Sequence, residues 1–415
     1  MIKTIKISNF KSFKNIDLNL AKYNLLIGCN ACGKSNFLQI FKFIRDLTKY
    51  GLDNAVTIQG GVEYFRNIKI GAQENFNLEI EWEAERNFGR LLRTEGDKEY
   101  HLIIENASYN ISFGFNKSRI ASGTIFEQIK LMACLGAVEN KSEKVKELSK
   151  GEIVISMSQG EIGFKSWTEE VKEEYILPVF VKSMFREMNG YTSLINYVKL
   201  FIPPLAGFGE IGMYDFDPKL PKRSVKFSGN KELEEDGSNM SSVIKDIIHD
   251  SKKYRSFMNL IHNCLPFVSD FDVEELVDKS SLFTLKEKYF PKKFFPASLV
   301  SDGTINIIAL IIALYFEEPS LAIIEEPERN IHPFLISRVM NMLREASSKK
   351  QIIISSHNPL IVKYAGLENL LLVTKDETTG ISQITKPSES EEVKAFIKND
   401  IGLDEIFIKG LFGEE

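Results

Sequence analysis

Near the N-terminus the apolar positions largely alternate. Ile2, Ile5 and Ile7, then Ile16, Leu18 and Leu20, flank a polar bend from Ser8 to Asn15, and this pattern predicts two strands. Tyr23 to Ile27 is a short, mostly apolar run that reads as a buried strand; after it Phe37, Ile40, Phe41, Ile44 and Leu47 recur at helical spacing until Gly51. Alternation returns in Phe76, Leu78, Ile80 and Trp82, in Ile111, Phe113 and Phe115, and in Ile153, Ile155 and Met157, which predicts antiparallel strands. Residues 124–150 and 168–200 read as helical, the dense charge of 141–150 fitting a solvated helical face. Pro203, Pro204, Pro218 and Pro221 break the pattern from 201 to 237 and predict a turn-rich connection. Beyond it Ser238 can cap a helix with Met240, Val243, Ile244, Ile247 and Ile248 on its apolar face. The last third reads as α/β: a buried helix over Ile305 to Phe316, strands at Leu321 to Ile324 and Gln351 to Ser355, and a helix from about Pro333 between them. No repeats appear, and no heptad run is long enough for a coiled-coil arm.

Composition narrows the class. The chain has 415 residues, 43% of them hydrophobic and 26% charged, which is ordinary globular usage with length for about two or three domains. A net charge of −5 offers no general electrostatic footprint for nucleic acid, so such binding would have to rest on a local basic face. The run Ile305 to Phe316 is too short to cross a bilayer, and the N-terminus lacks the apolar core of a signal peptide. Four cysteines make no disulfide framework, so a reducing cytoplasm is expected. Cys29 and Cys32 have the Cys-x-x-Cys spacing of a zinc half-site or redox pair. A structural zinc needs four ligands, and Cys134 and Cys264 lie far off with only His262 near the second, so the pair reads as two small residues filling a loop.

That loop carries the chemistry. Leu25 to Asn36 contains Gly28, Gly33, Lys34 and Ser35 in the phosphate-loop spacing, between a strand and a helix. The glycines let successive amides face an anion, the helix N-terminus adds partial positive charge, Lys34 neutralises the outer phosphates, and Ser35 can ligate Mg2+. Asn30 and Asn36 complete the expected nucleotide-binding set, and Lys11, in the bend Asn-Phe-Lys-Ser-Phe-Lys, is an extra cation for the phosphates. Two later strands deliver polar residues at their C-terminal ends, the edge at which open α/β sheets bind ligands. Glu325 is placed to hold magnesium, Glu326 to activate water, and His357 to donate to the γ-phosphate.

On these residues the chain resembles an ABC-class ATPase of the branch that holds SMC-like and RecF-like heads, and more closely the stand-alone AAA-type ATPases of bacterial defence loci such as Septu-like and abortive-infection systems. Ser301-Asp302-Gly303-Thr304 resembles the signature motif of that branch; Glu325-Glu326-Pro327-Glu328-Arg329-Asn330-Ile331-His332-Pro333 its Walker B and D-loop; Ser355 to Pro359 its switch-histidine segment. Tyr214 to Pro218 and Asp236 to Asn239 also look like family landmarks, without a role that the residues themselves reveal.

The resemblance implies an α/β fold, an ABC-type ATPase head built of a mixed β lobe and a P-loop α/β lobe, with an inserted β/helical region and no long coiled coil. Residues 1–60 and 285–415 would form the head, 61–125 its antiparallel β region, and 126–284 a mainly helical insertion. It implies an ATPase using ATP and Mg2+, with Ser301, Asp302, Gly303 and Thr304 acting in trans on a partner's γ-phosphate and Asn330 and His332 in the D-loop. Two copies would sandwich the nucleotide, and the expected partner is a separately encoded effector such as a nuclease, with no membrane. Two rival roles are a regulatory scaffold with little turnover and a RecF-like DNA-end-binding ATPase. Three features depart from the wider class: Glu325 stands where Asp is usual, Asp302 where Gly is usual, and two glutamines, Gln59 and Gln128, compete for the Q-loop.

Overall fold

The computed structural model describes residues 1–83, 89–116, 119–121, 124–139, 146–159, 161–176, 193–201, 207–226 and 231–412. It divides into two units: one of Met1–Ala21, Ala31–Ile211 and Thr374–Ile384, the other of Lys22–Asn30, Gly212–Val373 and Thr385–Glu415.

Alternation builds the sheet of the first unit. Its strand order is Glu161–Ser166, Lys146–Ser158, Phe126–Glu139, Lys98–Phe113, Phe76–Glu83, Ile2–Phe10, Phe13–Asn19 and Ser382–Thr385. Register follows the apolar face: Ile5 lies opposite Leu18 and Ile80, Ile7 opposite Ile16 and Leu78, and Leu78 opposite Ile111. The helix Lys34–Tyr50 buries Phe37, Leu38, Ile40, Phe41, Phe43, Ile44 and Leu47 and stops at Gly51, whose N–H donates to the Leu47 carbonyl. Phe43 stands edge-on to Phe65 and Phe76, with ring centroids 4.9 and 5.5 Å away. The N-terminal bend is tighter than its polar stretch suggested, since pairing runs to Phe10 opposite Phe13.

The expected helix over 124–150 is instead part of the long strands Phe126–Glu139 and Lys146–Ser158. Ile129, Leu131, Ala133 and Leu135 keep a two-residue period and are buried, but Met132 and Cys134 put apolar side chains on the other face and erase the contrast that marks a strand. The insertion assigned to 126–284 therefore begins with three strands. It also contains the hairpin Val268–Glu275 with Ser280–Glu287, and its longer described helices are Met240–His249 and Ser251–Cys264. Of the helical region expected over 168–200, Glu173–Ile176 and Leu194–Phe201 are helices, while 177–192 lie outside the described residues, as do 141–145, Pro203 and Pro204.

Beside that antiparallel hairpin, the second unit has a set of parallel, largely apolar strands. Tyr23–Ile27 pairs with Gln351–Ser355 on one side and Leu370–Lys375 on the other, and Gln351–Ser355 pairs in turn with Leu321–Glu325. Every residue of Tyr23–Ile27 and Gln351–Ser355 is buried, as in a sheet covered on both faces. The helix Asp302–Tyr315 is buried without a break from Thr304 to Leu314, so its apolar run reflects a core position. Because Glu325 is level with Ser355, and Ser355 with Leu26, all three strands end at one edge. Among the described residues no helix is long and apolar enough to cross a membrane. The helix that follows the phosphate loop has 17 residues, far short of a coiled-coil arm.

Candidate active site

The phosphate loop leaves the buried strand Tyr23–Ile27 at that edge. Gly28 is buried with φ 147°, and Cys29 and Asn30 are exposed beyond it. The rest of the loop is described within the first unit, where Gly33 (φ 119°) begins the helix Lys34–Tyr50. A Cβ on Gly33 would stand 2.5 Å from Ser382 Oγ and 3.0 Å from Ser12 Oγ, so backbone conformation and space both demand glycine. No side chain caps this helix, which leaves its first-turn amides turned toward the loop. The Ser382 hydroxyl donates to the Cys32 carbonyl at 2.6 Å and fixes the cradle. Lys34 Nζ lies 4.0 Å from Cys32 Sγ, and Ser35 is exposed at the helix start. Asn36, expected to touch nucleotide, donates its amide to Ser12 Oγ at 2.8 Å, a bond that braces the loop. Through that bond the Lys11–Ser12 turn borders the loop. Lys11 has φ 47°, its ammonium lies 5.7 Å from the Phe10 ring centre, and burial, helped by the Lys42 charge, lowers its pKa. None of the four cysteines forms a disulfide.

The carboxylates occupy the strand edge of the second unit. Burial raises the pKa of Glu325, and the carboxylates of Asp215, Glu235 and Glu326 push it further while Arg329 opposes them. Such crowding of anions is what a divalent cation relieves, although among the described residues no three His, Cys, Asp or Glu side chains are grouped to hold one. Glu326 follows with φ 44°, a left-handed backbone fixed by its N–H on the Ser355 carbonyl at 2.9 Å. Its Oε1 meets His357 Nδ1 at 2.9 Å, and its Oε2 accepts from Arg329 Nε at 3.2 Å. The pairing of Glu326 with His357 joins two motifs that are far apart in the chain.

Glu328 is buried beside them. It accepts from the Ser356 hydroxyl, and burial raises its pKa.

Ser301 caps the helix Asp302–Tyr315: its Oγ accepts from the Thr304 amide at 3.3 Å and donates to Thr304 Oγ1 at 2.9 Å. Thr304 is buried, so it braces the signature rather than presenting itself to a second subunit; Ser301 is exposed. Asp302 is paired with Lys222, which balances the carboxylate that stands where glycine is usual. Gly303 packs on the Asn330 carbonyl so closely that a Cβ would lie 2.4 Å from that oxygen. Asn330 is exposed with φ 62°, and exposed His332 caps the helix Pro333–Ala346 by accepting from the Phe334 amide at 3.3 Å. A cleft of about 550 Å³ opens between Asp217, Lys219, Asp302 and Asn330. Neither Q-loop candidate gains a decisive setting: Gln59 is buried and donates to the Gln39 carbonyl at 3.4 Å, and Gln128 lies mid-strand between Asn110 and Ser156.

Residue patterns alone did not assign Ser12, Ser382, Lys222, Glu328 or Arg329. The one signal available was the Tyr214 to Pro218 landmark, whose Asp215 accepts from Arg329 Nη1 at 2.8 Å.

A glycine-bounded loop between a buried strand and a helix is the phosphate-loop pattern, here in a chain of mixed α/β fold. The chain belongs to the family described as "AAA domain, putative AbiEii toxin, Type IV TA system", whose model matches residues 23–95 and 203–363, more than half of the chain. That match bears out the recognition of an AAA-type ATPase, and the mixed α/β fold is borne out by the elements described, among which no helix has the length of a coiled-coil arm. No curated protein matches. Among solved structures, an SMC head bound to the C-terminal winged-helix domain of ScpA is 14% identical, with 92% of this chain and 97% of that chain covered and a TM-score of 0.49. The SMC head from Thermotoga maritima is 13% identical over 93% and 98%, at 0.42. The Pyrococcus furiosus Smc head with an extended coiled coil, bound to the C-terminal domain of ScpA, is 11% identical over 96% and 99%, at 0.47. At these scores the overlays carry no argument, and membership rests on the family match.

Proposed function

We propose that this protein binds ATP with magnesium and hydrolyses it to ADP and phosphate, and that two copies close over the nucleotide, so that the chain works as a nucleotide-controlled switch. The observation that carries this reading is the 2.9 Å pairing of Glu326 with His357 at the strand edge from which the phosphate loop departs. Lys34 and the first-turn amides bind phosphate; Ser35 and Glu325 would hold magnesium, which supplies charge neutralisation for the phosphates when bound. Glu326 takes the proton of the attacking water, and His357 donates to the γ-phosphate. Exposed Ser301 and the Gly303 amide reach a phosphate of the second copy. The setting proposed is the bacterial cytoplasm, in an anti-phage defence or DNA-metabolism system with a separately encoded effector. The family's description as a toxin of a type IV system supports work in such a pair.

Glu326→Gln keeps the shape of the side chain and removes the base. The variant is expected to bind ATP, to lose phosphate release, and to accumulate as a dimer in light scattering with ATP and Mg2+. A variant that stays in its ATP-free assembly state ends the sandwich reading. A second reading, a scaffold with little turnover, draws on both Glu326 oxygens being engaged in this structure. Steady-state phosphate release by the wild type separates the two.

A further inference from the structure

Arg329 is the hub of the strand edge. Its Nε donates to Glu326 Oε2 at 3.2 Å, with Nη2 at the same distance from that oxygen. Its Nη1 donates to Asp215 Oδ1 at 2.8 Å and to the Phe216 carbonyl at 3.2 Å. Every guanidinium nitrogen is therefore engaged, one edge on the base and the other on the Tyr214 to Pro218 landmark.

That landmark is itself held. The Asp215 N–H donates to the Glu235 carbonyl at 2.8 Å and the Asp217 N–H to the Asp236 carbonyl at 3.2 Å. Asn239 pins the second segment from both ends of its amide, accepting from the Glu234 N–H at 2.8 Å and donating to the Glu232 carbonyl at 2.7 Å. The backbone of Arg329 is fixed as well. Its N–H donates to the Glu326 carbonyl at 2.9 Å, and its carbonyl accepts from Asn306 on the signature helix at 2.6 Å.

Glu326 needs this support. Its left-handed backbone costs about 1–3 kcal/mol unless its surroundings impose it. Its side chain is one-third exposed, and the single contact of Oε1 with His357 does not by itself select one rotamer. A planar fork with a fixed second edge does select one, which a lysine, as a flexible point charge, does not.

We infer that Arg329, anchored by Asp215, is the positioning residue that orients the carboxylate of Glu326. The inference rests on the proposed role of Glu326 as base. A carboxylate misplaced by an ångström costs turnover and leaves nucleotide binding alone. A mere staple between two loops would show the reverse, a loss of stability without a loss of kcat.

The test uses the full chain, measuring phosphate release with ATP and Mg2+, affinity for a fluorescent ATP analogue, and thermal unfolding. Arg329→Ala is expected to lower kcat about 10- to 100-fold with KM within about threefold. Asp215→Asn is expected to lower kcat about fivefold, and Arg329→Lys to recover only part of the loss. The double variant Arg329→Ala/Asp215→Asn should be no slower than Arg329→Ala alone, because both changes break one arm. Arg329→Ala within about twofold of wild type, or additive losses in the double variant, overturns the inference even where Glu326→Gln is inactive and the base assignment stands. Wild-type turnover that Glu326→Gln does not reduce, or no wild-type turnover at all, removes the base and the inference together. If Arg329→Ala does not fold, Arg329→Lys and Asp215→Asn decide: unchanged kcat in both overturns it.

Discussion

Two glutamates in this chain are held in opposite ways. Glu127 lies in the first unit, 1% exposed on the strand Phe126–Glu139. Its Oε2 accepts from the Tyr109 hydroxyl at 2.9 Å, the Ser193 hydroxyl at 2.8 Å and the Leu194 amide at 2.8 Å, all neutral donors. Burial pushes its carboxyl up to about 7, against those hydrogen bonds. Glu326 lies in the second unit at a strand edge, partly exposed, and is held by the side chains of Arg329 and His357. The difference separates a carboxyl locked in a core from the one proposed here as the base. Glu127 is satisfied by fixed groups of the sheet and the helix Leu194–Phe201, so moving it means unmaking the core. Glu326 is held by the partly exposed side chains of Arg329 and His357, so its contacts can change without unmaking a core.

The sharpest way to break this comparison is to make the same change at both positions. Glu326→Gln is expected to lower phosphate release about 100- to 10,000-fold, the usual worth of a general base, while Glu127→Gln leaves it within about threefold. Equal effects would erase the distinction.

Next in size is Gly33→Ala, which forces a side chain into a φ of 119° and against Ser382 Oγ. Affinity for the fluorescent ATP analogue should fall at least about tenfold, with a stability loss of about 2 kcal/mol in denaturant titration.

The third prediction concerns pH. Because the native Glu127 carboxyl titrates near 7, above its ordinary value in the unfolded chain, the native state holds a proton that the unfolded chain gives up first. Its contribution is fully present below about pH 4.3 and is lost as pH rises to about 7, a fall of about 4 kcal/mol. The wild-type stability relative to Glu127→Gln should therefore decline across that window and level off above it, as read by urea unfolding at a series of pH values. A difference independent of pH would mean that Glu127 titrates alike in both states.

The smallest effect is expected at Ser301→Ala, where losing the helix cap costs about 1 kcal/mol in thermal unfolding. If Ser301 also reaches the second copy, Glu326→Gln/Ser301→Ala should fail to dimerise with ATP.

Legibility in the sequence followed contrast. The phosphate loop, the strands Tyr23–Ile27, Leu321–Glu325 and Gln351–Ser355, and the helices after them could be read because uniform apolar runs end abruptly in glycine or charge. The strand Phe126–Glu139 could not, since Met132 and Cys134 make both of its faces apolar. Glu325, Glu326 and His357 were recognisable as strand-end polar residues. Arg329 and Asp215 stood inside quoted motifs, but their roles were not legible because the two partners are 114 positions apart in the chain.

The sequence by itself determined the chemistry available: a phosphate-loop spacing with a position, Gly33, that only glycine fits, and glutamates and a histidine set at strand ends by local spacing. Tertiary structure alone decided which of these groups touch. Whether Glu326 meets His357 and Arg329, whether Asp302 finds Lys222, and whether Thr304 is presented or buried depend on strand register and loop packing between distant segments. Hydrophobic periodicity marks which face of an element is buried, but it carries no information about which other element that face will meet.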